Sequence, residues 1–347
     1  MYGGCGSATD PPRSDLLSPP ADRRPARWVA ATAAVLAGAV LASLALGARS
    51  VPPAEVWSAL TGGDAAAASV ITTLRLPRTL LALVVGVALG LSGTLMQALT
   101  RNPLADPGLL GVTMGASTAV VVAIAFGGVS ALLGYVWFAL AGAGAAAVLV
   151  YLVAGRAGAG DRMVLAGAAV SAVLLAVTSA ILLRRPEAFR DFRFWDVGSL
   201  AGRPTAVVVQ IAGLVAAGTL VALLLARPLN ALGLGDDSAR ALGVNLHTTR
   251  VLGAAAVTVL CGAATAAAGP IGFVGLVTAH AARLLVGPDL RWALPLAALI
   301  TPTLLLVADV LGRLVVAPQE LSVGVVTAVI GAPVFIALCR RRHLVAL

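Results

Sequence analysis

The chain has 347 residues, of which 59% are hydrophobic and 11% are charged, and its mean hydropathy is +0.98. Soluble domains carry about 25% charged residues, so this composition excludes a soluble protein and indicates a polytopic membrane protein. All 24 basic residues are arginine, and the absence of lysine excludes both a P-loop of the G-x-x-x-x-G-K-[ST] type and a Schiff-base lysine. The net charge of +9 lies mostly in arginines between apolar runs. We therefore expect contact with membrane lipid and not with nucleic acid.

Residues 1–27 lack periodicity and are rich in Pro, Gly, Arg and Asp, which predicts a disordered N-terminal tail. A transmembrane domain is expected over 28–342, followed by a short C-terminal end, 343–347. The domain is predicted to be all-α with ten membrane helices, most of them near the length of about 20 residues that a bilayer core requires. Their predicted bounds are 28–46, 79–99, 109–126, 129–154, 163–183, 206–226, 251–268, 271–286, 292–311 and 323–338.

An even number of spans places both termini on one side of the membrane. If that side is the cytoplasm, fifteen of the 24 arginines lie inside and nine outside, in agreement with the positive-inside tendency. We therefore predict cytoplasmic termini. Nine outer arginines are nevertheless many and call for a separate explanation. The span 271–286 is short and carries His280 and Arg283, so a broken or partly re-entrant helix is expected there.

A polar segment, 229–250, separates two long apolar runs and still carries helical signals. Asp236 and Asp237 suit the first turn of a short helix, where carboxylates favour the positive end of the helix dipole. Arg240 follows four residues after Asp236, at the spacing of an ion pair, and Gly243 is a suitable helix stop.

Asn245 can then cap a second helix that continues into the next apolar run. Two short helices with a glycine joint at a membrane surface predict a docking element. The alternative is a solvated linker that happens to carry helix caps.

The search for catalytic groups is negative. The chain has no H-E-x-x-H, G-x-S-x-G or G-x-G-x-x-G motif, and its three histidines and three cysteines have no metal-ligand or disulfide spacing. A membrane-embedded hydrolase therefore lacks a nucleophile–base pair. Asp309 is an acid within an apolar run, four residues before Arg313, which predicts a helix-end ion pair. The alternative is a proton relay of Asp309 and His280 in an ion-coupled secondary carrier that needs no ATPase.

Glycines at 86, 90, 93, 111 and 115 predict close helix packing in lipid. Three clusters, 74–78, 101–107 and 269–275, combine polar residues with proline or glycine beside the spans. Such breaks are tolerated at membrane depth only where the backbone is buried in protein or lines a cavity.

Several motifs together resemble the FecCD-type permeases, the membrane subunits of ATP-driven importers for ferric siderophores, haem and cobalamin. The motifs are R-L-P-R at 75–78, S-G-T-L-M-Q at 92–97, R-N-P-L-A-D-P at 101–107, L-G-V-T-M-G-A at 110–116, D-R-M-V-L-A-G at 161–167, F-R-F-W-D-V-G-S-L-A-G at 192–202, L-G-D-D-S-A-R-A-L-G-V at 234–244, G-P-I-G-F-V-G-L-V at 269–277 and E-L-S-V-G-V-V-T-A-V-I-G-A-P at 320–333. The family usually has prolines at the positions of Ala279 and Ser322, which leaves the local helix geometry open.

The resemblance implies a type II ABC importer permease in a bacterial inner or plasma membrane. Its partners would be a second copy or a homologous permease, two ATP-binding cassette ATPase subunits, and a periplasmic or lipid-anchored binding protein. ATP and Mg²⁺ would bind to the ATPases, and this chain would carry no cofactor. Ferric siderophore is the favoured cargo, with haem and cobalamin open.

The resemblance also implies three sites. ATPase coupling would fall on Leu234, Gly235, Asp236, Asp237, Ser238, Ala239, Arg240, Ala241, Leu242, Gly243 and Val244. Docking of the binding protein would fall on Arg75, Arg78 and Arg313, which would explain part of the outer arginine excess. A cytoplasmic gate would fall on Asn102, Pro103 and Leu104.

Overall fold

A computed structural model describes residues 25–47, 51–63, 68–127, 132–154, 161–316 and 319–340. These residues form fourteen α-helices, with a π-helical turn at Val70–Arg75 and a 3-10 turn at Pro107–Leu110. The helices are α1 Pro25–Ala45, α2 Pro53–Leu60, α3 Leu76–Thr100, α4 Val112–Gly127, α5 Leu132–Ala154, α6 Asp161–Arg184, α7 Pro186–Asp196, α8 Thr205–Leu224, α9 Ala226–Gly233, α10 Asp236–Ala241, α11 Leu246–Ala268, α12 Val274–Val286, α13 Leu290–Val315 and α14 Val323–Arg340.

Ten of these helices correspond to the ten predicted spans. Seven are long and apolar enough to cross a membrane, and α4, α12 and α14 are shorter apolar helices. The all-α, polytopic fold class is thus confirmed. Helix α1 begins at Pro25, so the last three residues of the predicted tail are helical, because proline is well suited to a first helical turn. The remainder of that tail, 1–24, and the C-terminal end, 343–347, lie outside the described residues.

Helix α3 is the centre of the bundle. Eighteen of its residues are buried, and α8, α11, α12 and α13 pack around it. The outer helices instead expose large apolar side chains, such as Leu41 on α1, Leu152 on α5 and Leu165 on α6. In water such surfaces would be unfavourable, but in a bilayer they match the surrounding lipid.

Glycines bring α3 into backbone contact with its neighbours, as the sequence predicts. A Cβ added at Gly86 would lie 2.5 Å from the Cα of Pro302 in α13, and one at Gly93 would lie 2.5 Å from the carbonyl oxygen of Gly275 in α12. The same occurs between α4 and α5, where a Cβ on Gly115 would lie 2.4 Å from a carbonyl oxygen. Small residues are what allow such close helix crossings in lipid.

Two short helices outside the membrane spans were not predicted. Helices α2 and α7 each start with proline in the first turn and carry one acidic residue there, Glu55 and Glu187. These are ordinary helix-start signals. A search for long apolar runs misses them, because α2 has eight residues and α7 is largely charged.

Candidate coupling, gate and docking sites

The polar segment 229–250 folds as short helices with a glycine joint, as predicted. Helix α10 ends in a Schellman motif, in which the Val244 amide donates to the Ala239 carbonyl at 3.0 Å and the Gly243 amide donates to the Arg240 carbonyl at 2.9 Å. Gly243 has φ 77°, in the left-handed region that favours glycine. The glycine thus ends the helix and sets the direction of the chain toward α11.

The next helix, α11, starts where the sequence predicts it. The Asn245 side-chain oxygen accepts a hydrogen bond from the Thr248 amide at 3.0 Å, so Asn245 is an N-cap. Leu234 before α10 and Leu242 after it are 69% and 64% exposed, and the Asp237 side chain in α10 is fully exposed. Two exposed leucines beside exposed charges form a surface suited to contact with another protein.

Asp236 ties α10 to two other parts of the molecule. Its carboxylate accepts hydrogen bonds from Arg250 of α11 at 2.8 and 2.9 Å, and a further one from Arg101 at the end of α3. The predicted pairing of Asp236 with Arg240 is therefore wrong. Arg240 instead binds Asp237 at 2.9 Å, because both of those side chains face solvent while Asp236 is turned toward α3 and α11.

The pKa of the Asp236 carboxyl lies below its ordinary value of about 3.9. Partial burial acts in the opposite direction, but the hydrogen bonds and positive charges of Arg250 and Arg101 outweigh it. A lowered carboxyl pKa contributes stability that is present above the unfolded-state pKa and is lost as the pH falls through the folded-state pKa. The Asp236 link is therefore intact at physiological pH and opens only when the pH falls below the ordinary pKa of a carboxyl group.

The predicted gate residues lie in a hydrogen-bonded turn directly after α3. The turn begins at Arg101, a non-glycine residue with φ 50°. The Asn102 side-chain oxygen accepts from the Leu104 amide at 2.9 Å, and Pro103 lies between them where a helix could not continue. Asn102, Pro103 and Leu104 are all half-buried. Because Arg101 also binds Asp236, this turn and α10 are directly joined.

At the opposite end of the bundle, Asp309 is the centre of a buried ion network. Its carboxylate pairs with Arg78 of α3 at 2.7 Å and with Arg313 of its own helix at 3.1 Å. Arg78 in turn pairs with Glu320 at 2.6 Å. The helix-end pair of Asp309 and Arg313 is thus present as predicted, with Arg78 as a second partner that spacing along one helix could not reveal.

The end of α1 supplies the remaining acceptors of this network. Arg313 donates to the Ser43 and Leu46 carbonyls, both at 3.0 Å, and Arg75 donates to the Leu44 carbonyl at 2.7 Å. Carbonyls in the last turn of a helix have no partner within the helix, so arginines are well placed to satisfy them.

The family resemblance implies that these arginines contact a binding protein, but their guanidinium groups are largely buried. Arg75 is 7% exposed, Arg313 is 3% exposed, and the Arg78 side chain is 11% exposed. The difference arises because Asp309 and the α1 carbonyls compensate the three guanidinium groups inside the bundle. The partly exposed member of the network is Glu320, at 39%, so the pair that it forms with Arg78 is where the network reaches the surface.

The proton relay of His280 and Asp309 is not supported by the geometry. Thr301 of α13 donates to Thr278 of α12 at 2.8 Å, which fixes the register of these antiparallel helices. Asp309 lies eight residues after Thr301 in α13, and His280 lies two residues after Thr278 in α12. Because the two helices run in opposite directions, these two offsets point to opposite ends of the pair and add together. The two side chains are therefore about 15 Å apart along the helix axes.

Three of the motif segments meet at a junction that the sequence did not reveal. The Ser199 amide donates to the Ala268 carbonyl at 2.7 Å, and the Gly324 amide donates to the Gly198 carbonyl at 3.0 Å. The ends of α7 and α11 and the start of α14 are thus hydrogen-bonded together. Ala279 and Ser322 stand where the family usually has prolines. Ala279 lies within α12, which begins at Val274, and Ser322 directly precedes α14, which begins at Val323, so both helices form without these prolines.

Replacing Gly269 at this junction with alanine is expected to destabilise the protein by at least about 1–3 kcal/mol. Gly269 has φ 77°, and a Cβ there would lie 2.0 Å from the Trp195 carbonyl oxygen. Thermal unfolding of the detergent-solubilised chain measures the effect. Gly213→Ala on α8 is the matched control, because no atom lies within 4 Å of its Cβ position and alanine favours a helix. Equal melting temperatures for the two variants would contradict the close approach.

Comparison with known proteins identifies the chain. The sequence profile of the FecCD transport family matches residues 35–341. The chain belongs to the FecCD transport family. The ferric enterobactin transport system permease protein FepD of Escherichia coli (strain K12) is 50% identical over 306 residues, which cover 86% of this chain and 91% of that protein. The hemin transport system permease protein HmuU of Yersinia pestis is 39% identical over 309 residues, which cover 87% and 92%.

A solved structure agrees with this assignment. The FecCD-family chain is similar to a metal-chelate type ABC transporter in an inward-facing conformation, with a TM-score of 0.80 and 29% identity. The similarity covers 91% of this chain and 99% of the solved one. The resemblance drawn from the motifs and the function as a membrane permease of an ABC importer are thereby confirmed.

Proposed function

We propose that this FecCD-family permease forms the membrane pathway of an importer for a ferric siderophore. The observation that carries the proposal is the 50% identity to FepD over most of both chains. Relatives with other cargoes are less similar, at 39% for the hemin permease and 39% for the vitamin B12 permease BtuC of Citrobacter koseri. The similarity therefore favours a siderophore over haem or cobalamin.

The proposed assembly contains two copies of this permease, or one copy with a homologous permease, in a bacterial inner membrane with cytoplasmic termini. Two ATP-binding cassette ATPases bind on the cytoplasmic side and hold the ATP and Mg²⁺, while a binding protein delivers the cargo from outside. The excess of arginines on the side of the termini and of segment 229–250 supports this orientation.

In the proposed mechanism, Leu234–Val244 is the surface that the ATPase contacts. The exposed Leu234, Leu242, Asp237 and Arg240 make that contact, and the half-buried Asp236 passes its movement to the gate turn through Arg101. The gate residues Asn102, Pro103 and Leu104 then move with the turn. A ligand bound elsewhere can bias such a two-state element through a physical connection of this kind.

On the outer side, the proposed docking site is the surface of the buried ion network of Arg75, Arg78 and Arg313. An acidic residue of the binding protein would approach Arg78 where Glu320 now binds it. The pair with Glu320 is partly exposed and hence weak, so a second carboxylate can replace it at low cost. Asp309 keeps the remaining part of the network in place during this exchange.

Replacing Glu320 with glutamine is therefore expected to increase affinity for the binding protein about threefold at low salt, because a competing carboxylate is removed. Arg78→Gln is expected to decrease it, and both effects should shrink as salt is raised. Surface plasmon resonance over a salt series measures this. Unchanged affinity in both variants would remove Arg78 from the docking site.

Proteoliposomes test the cargo and the energy source together. The purified permease is reconstituted with its ATPase and supplied with a binding protein loaded with a ferric siderophore, haem or cobalamin. We expect ATP-dependent uptake of the siderophore. ATP-dependent uptake of haem or cobalamin alone would overturn the cargo, whereas uptake by the permease without an ATPase would establish a secondary carrier.

A further inference from the structure

An open apolar groove runs along the outside of the bundle between α3 and α8. It encloses about 490 Å³ and is lined almost wholly by apolar atoms. Its walls include Val84 and Val87 of α3, and Ala216, Leu220 and Leu223 of α8. Along α8 the groove extends from residue 212 to residue 223, roughly 16 Å at the rise of an α-helix. That is about half of a bilayer core of about 30 Å, the depth of one leaflet.

At the Leu223 end of α8 the groove meets a second cavity of about 370 Å³, which has both apolar and charged residues in its lining. Leu223 lines both cavities, and the second is further lined by Arg227 at the start of α9 and Arg291 at the start of α13. The apolar groove, which is about as long as one leaflet is deep, therefore ends at two arginines. The neighbouring Trp292 is 38% exposed, as is usual for tryptophan at the boundary between lipid and water.

A specific contact holds the two arginines on either side of this cavity. Asn230 of α9 donates to the Asp289 carboxylate at 2.7 Å and accepts from the Leu290 amide at 3.0 Å, so α9 is fixed to the start of α13. Arg291 uses two nitrogens to bind the same carboxylate. The cavity is thus a part of the fold that side-chain hydrogen bonds maintain.

Arg227 is uncompensated at this position. Among the residues that the structure describes, no hydrogen bond or ion pair involves it, and it is exposed. Asp289 neutralises one of the two arginines, so the cavity keeps a net positive charge. A cavity that holds an unpaired cation at the end of an apolar groove is complementary to a ligand with an anionic head and an aliphatic tail.

We propose that the α3–α8 groove and the Arg227–Arg291 cavity together bind one anionic glycerophospholipid. The acyl chain lies in the groove, and the phosphate lies between Arg227 and Arg291. Basic pockets at the membrane surface are known to bind acidic lipid head groups in this way. A zwitterionic lipid would bring its own cation next to Arg227, so the site prefers a head group with net negative charge.

This site adjoins the coupling segment. Arg227 lies in the first turn of α9, the helix that leads from α8 into Gly235 and α10. A lipid bound there contacts α3, α8, α9 and α13 at once. It therefore fixes the position from which α10 projects toward the cytoplasmic partner.

Native mass spectrometry of the full-length chain tests the proposal, with phosphatidylglycerol and phosphatidylcholine as the two probes. We expect the wild type to retain phosphatidylglycerol preferentially. Arg227→Gln should reduce that retention about fivefold, the effect of about one surface arginine on an anionic lipid. Ala216→Phe should reduce it too by filling the groove without a change of charge. Arg162→Gln, an exposed arginine away from the groove, is the matched control.

Arg227 is exposed and forms no hydrogen bond or ion pair within the described part of the fold, so its replacement should leave the melting temperature in lipid-free detergent unchanged. Equal retention of the two lipids, or equal losses in Arg227→Gln and Arg162→Gln, would overturn the site. If inorganic phosphate displaced the lipid while Ala216→Phe had no effect, the cavity would bind free anions only, and the lipid proposal would be rejected.

Discussion

Replacing Asp309 with asparagine is expected to lower the free energy of unfolding by about 3–5 kcal/mol, the usual effect of removing one partner from a buried ion pair. Asp309 is 1% exposed and balances both Arg78 and Arg313. Its loss leaves two guanidinium groups in a buried site with no carboxylate except the partly exposed Glu320. The apparent melting temperature in detergent reports the change.

Glu320→Gln is the matched control for this prediction. It removes a carboxylate from the same network, but from a position that is 39% exposed, so a change of only about 0–1 kcal/mol is expected. Adding Arg78→Gln to Asp309→Asn should restore part of the stability, because one unbalanced cation is then removed. An unaltered melting temperature together with lost uptake would indicate that Asp309 carries protons and is not a structural anion.

Replacing Asp236 with alanine is expected to reduce ATP-driven uptake about tenfold, within the range of typical coupling energies. The substitution breaks the contacts of α10 with both Arg101 and Arg250. Since Asp237 and the exposed leucines remain, the ATPase should still copurify with the permease. Uptake in proteoliposomes and recovery of the complex are measured on the same preparation.

Two further variants distinguish the transmission of movement from α10 to the gate turn from the association of the permease with the ATPase. Joint replacement of Asp237 and Arg240, which are exposed and bind each other, should weaken recovery of the ATPase. Arg101→Gln should reproduce the Asp236→Ala defect from the side of the gate turn. Normal uptake in Arg101→Gln would exclude this connection and leave α11, through Arg250, as the route.

The sequence predicts most of the fold, because each membrane span needs a long apolar run and each cap in segment 229–250 is a local signal. Gly243 and Asn245 could be assigned from their neighbours alone. The contacts that define the sites could not, since Arg78 and Asp309 are 231 residues apart and Arg101 and Asp236 are 135 apart. Partners at such separations depend on how helices pack.

The burial of Arg75 and Arg313 also could not be predicted from the sequence. A motif such as R-L-P-R indicates where cations lie along the chain, but not whether carbonyls of another helix take up their hydrogen bonds. Arg75 and Arg313 are buried because the end of α1 comes to lie against them. Likewise the pairing of Asp236 with Arg250 required the direction that α11 takes after Asn245.

The glycine crossings of α3 have a mechanical consequence. At Gly86 and at Gly93 the backbone of α3 lies directly against the backbones of α13 and α12, so sliding of one helix past another would produce steric clashes. We therefore expect these three helices to move as one rigid unit. The proposed pathway would then widen by movement of the surrounding helices, and a movement delivered at Arg101 would reach this rigid unit at the end of α3.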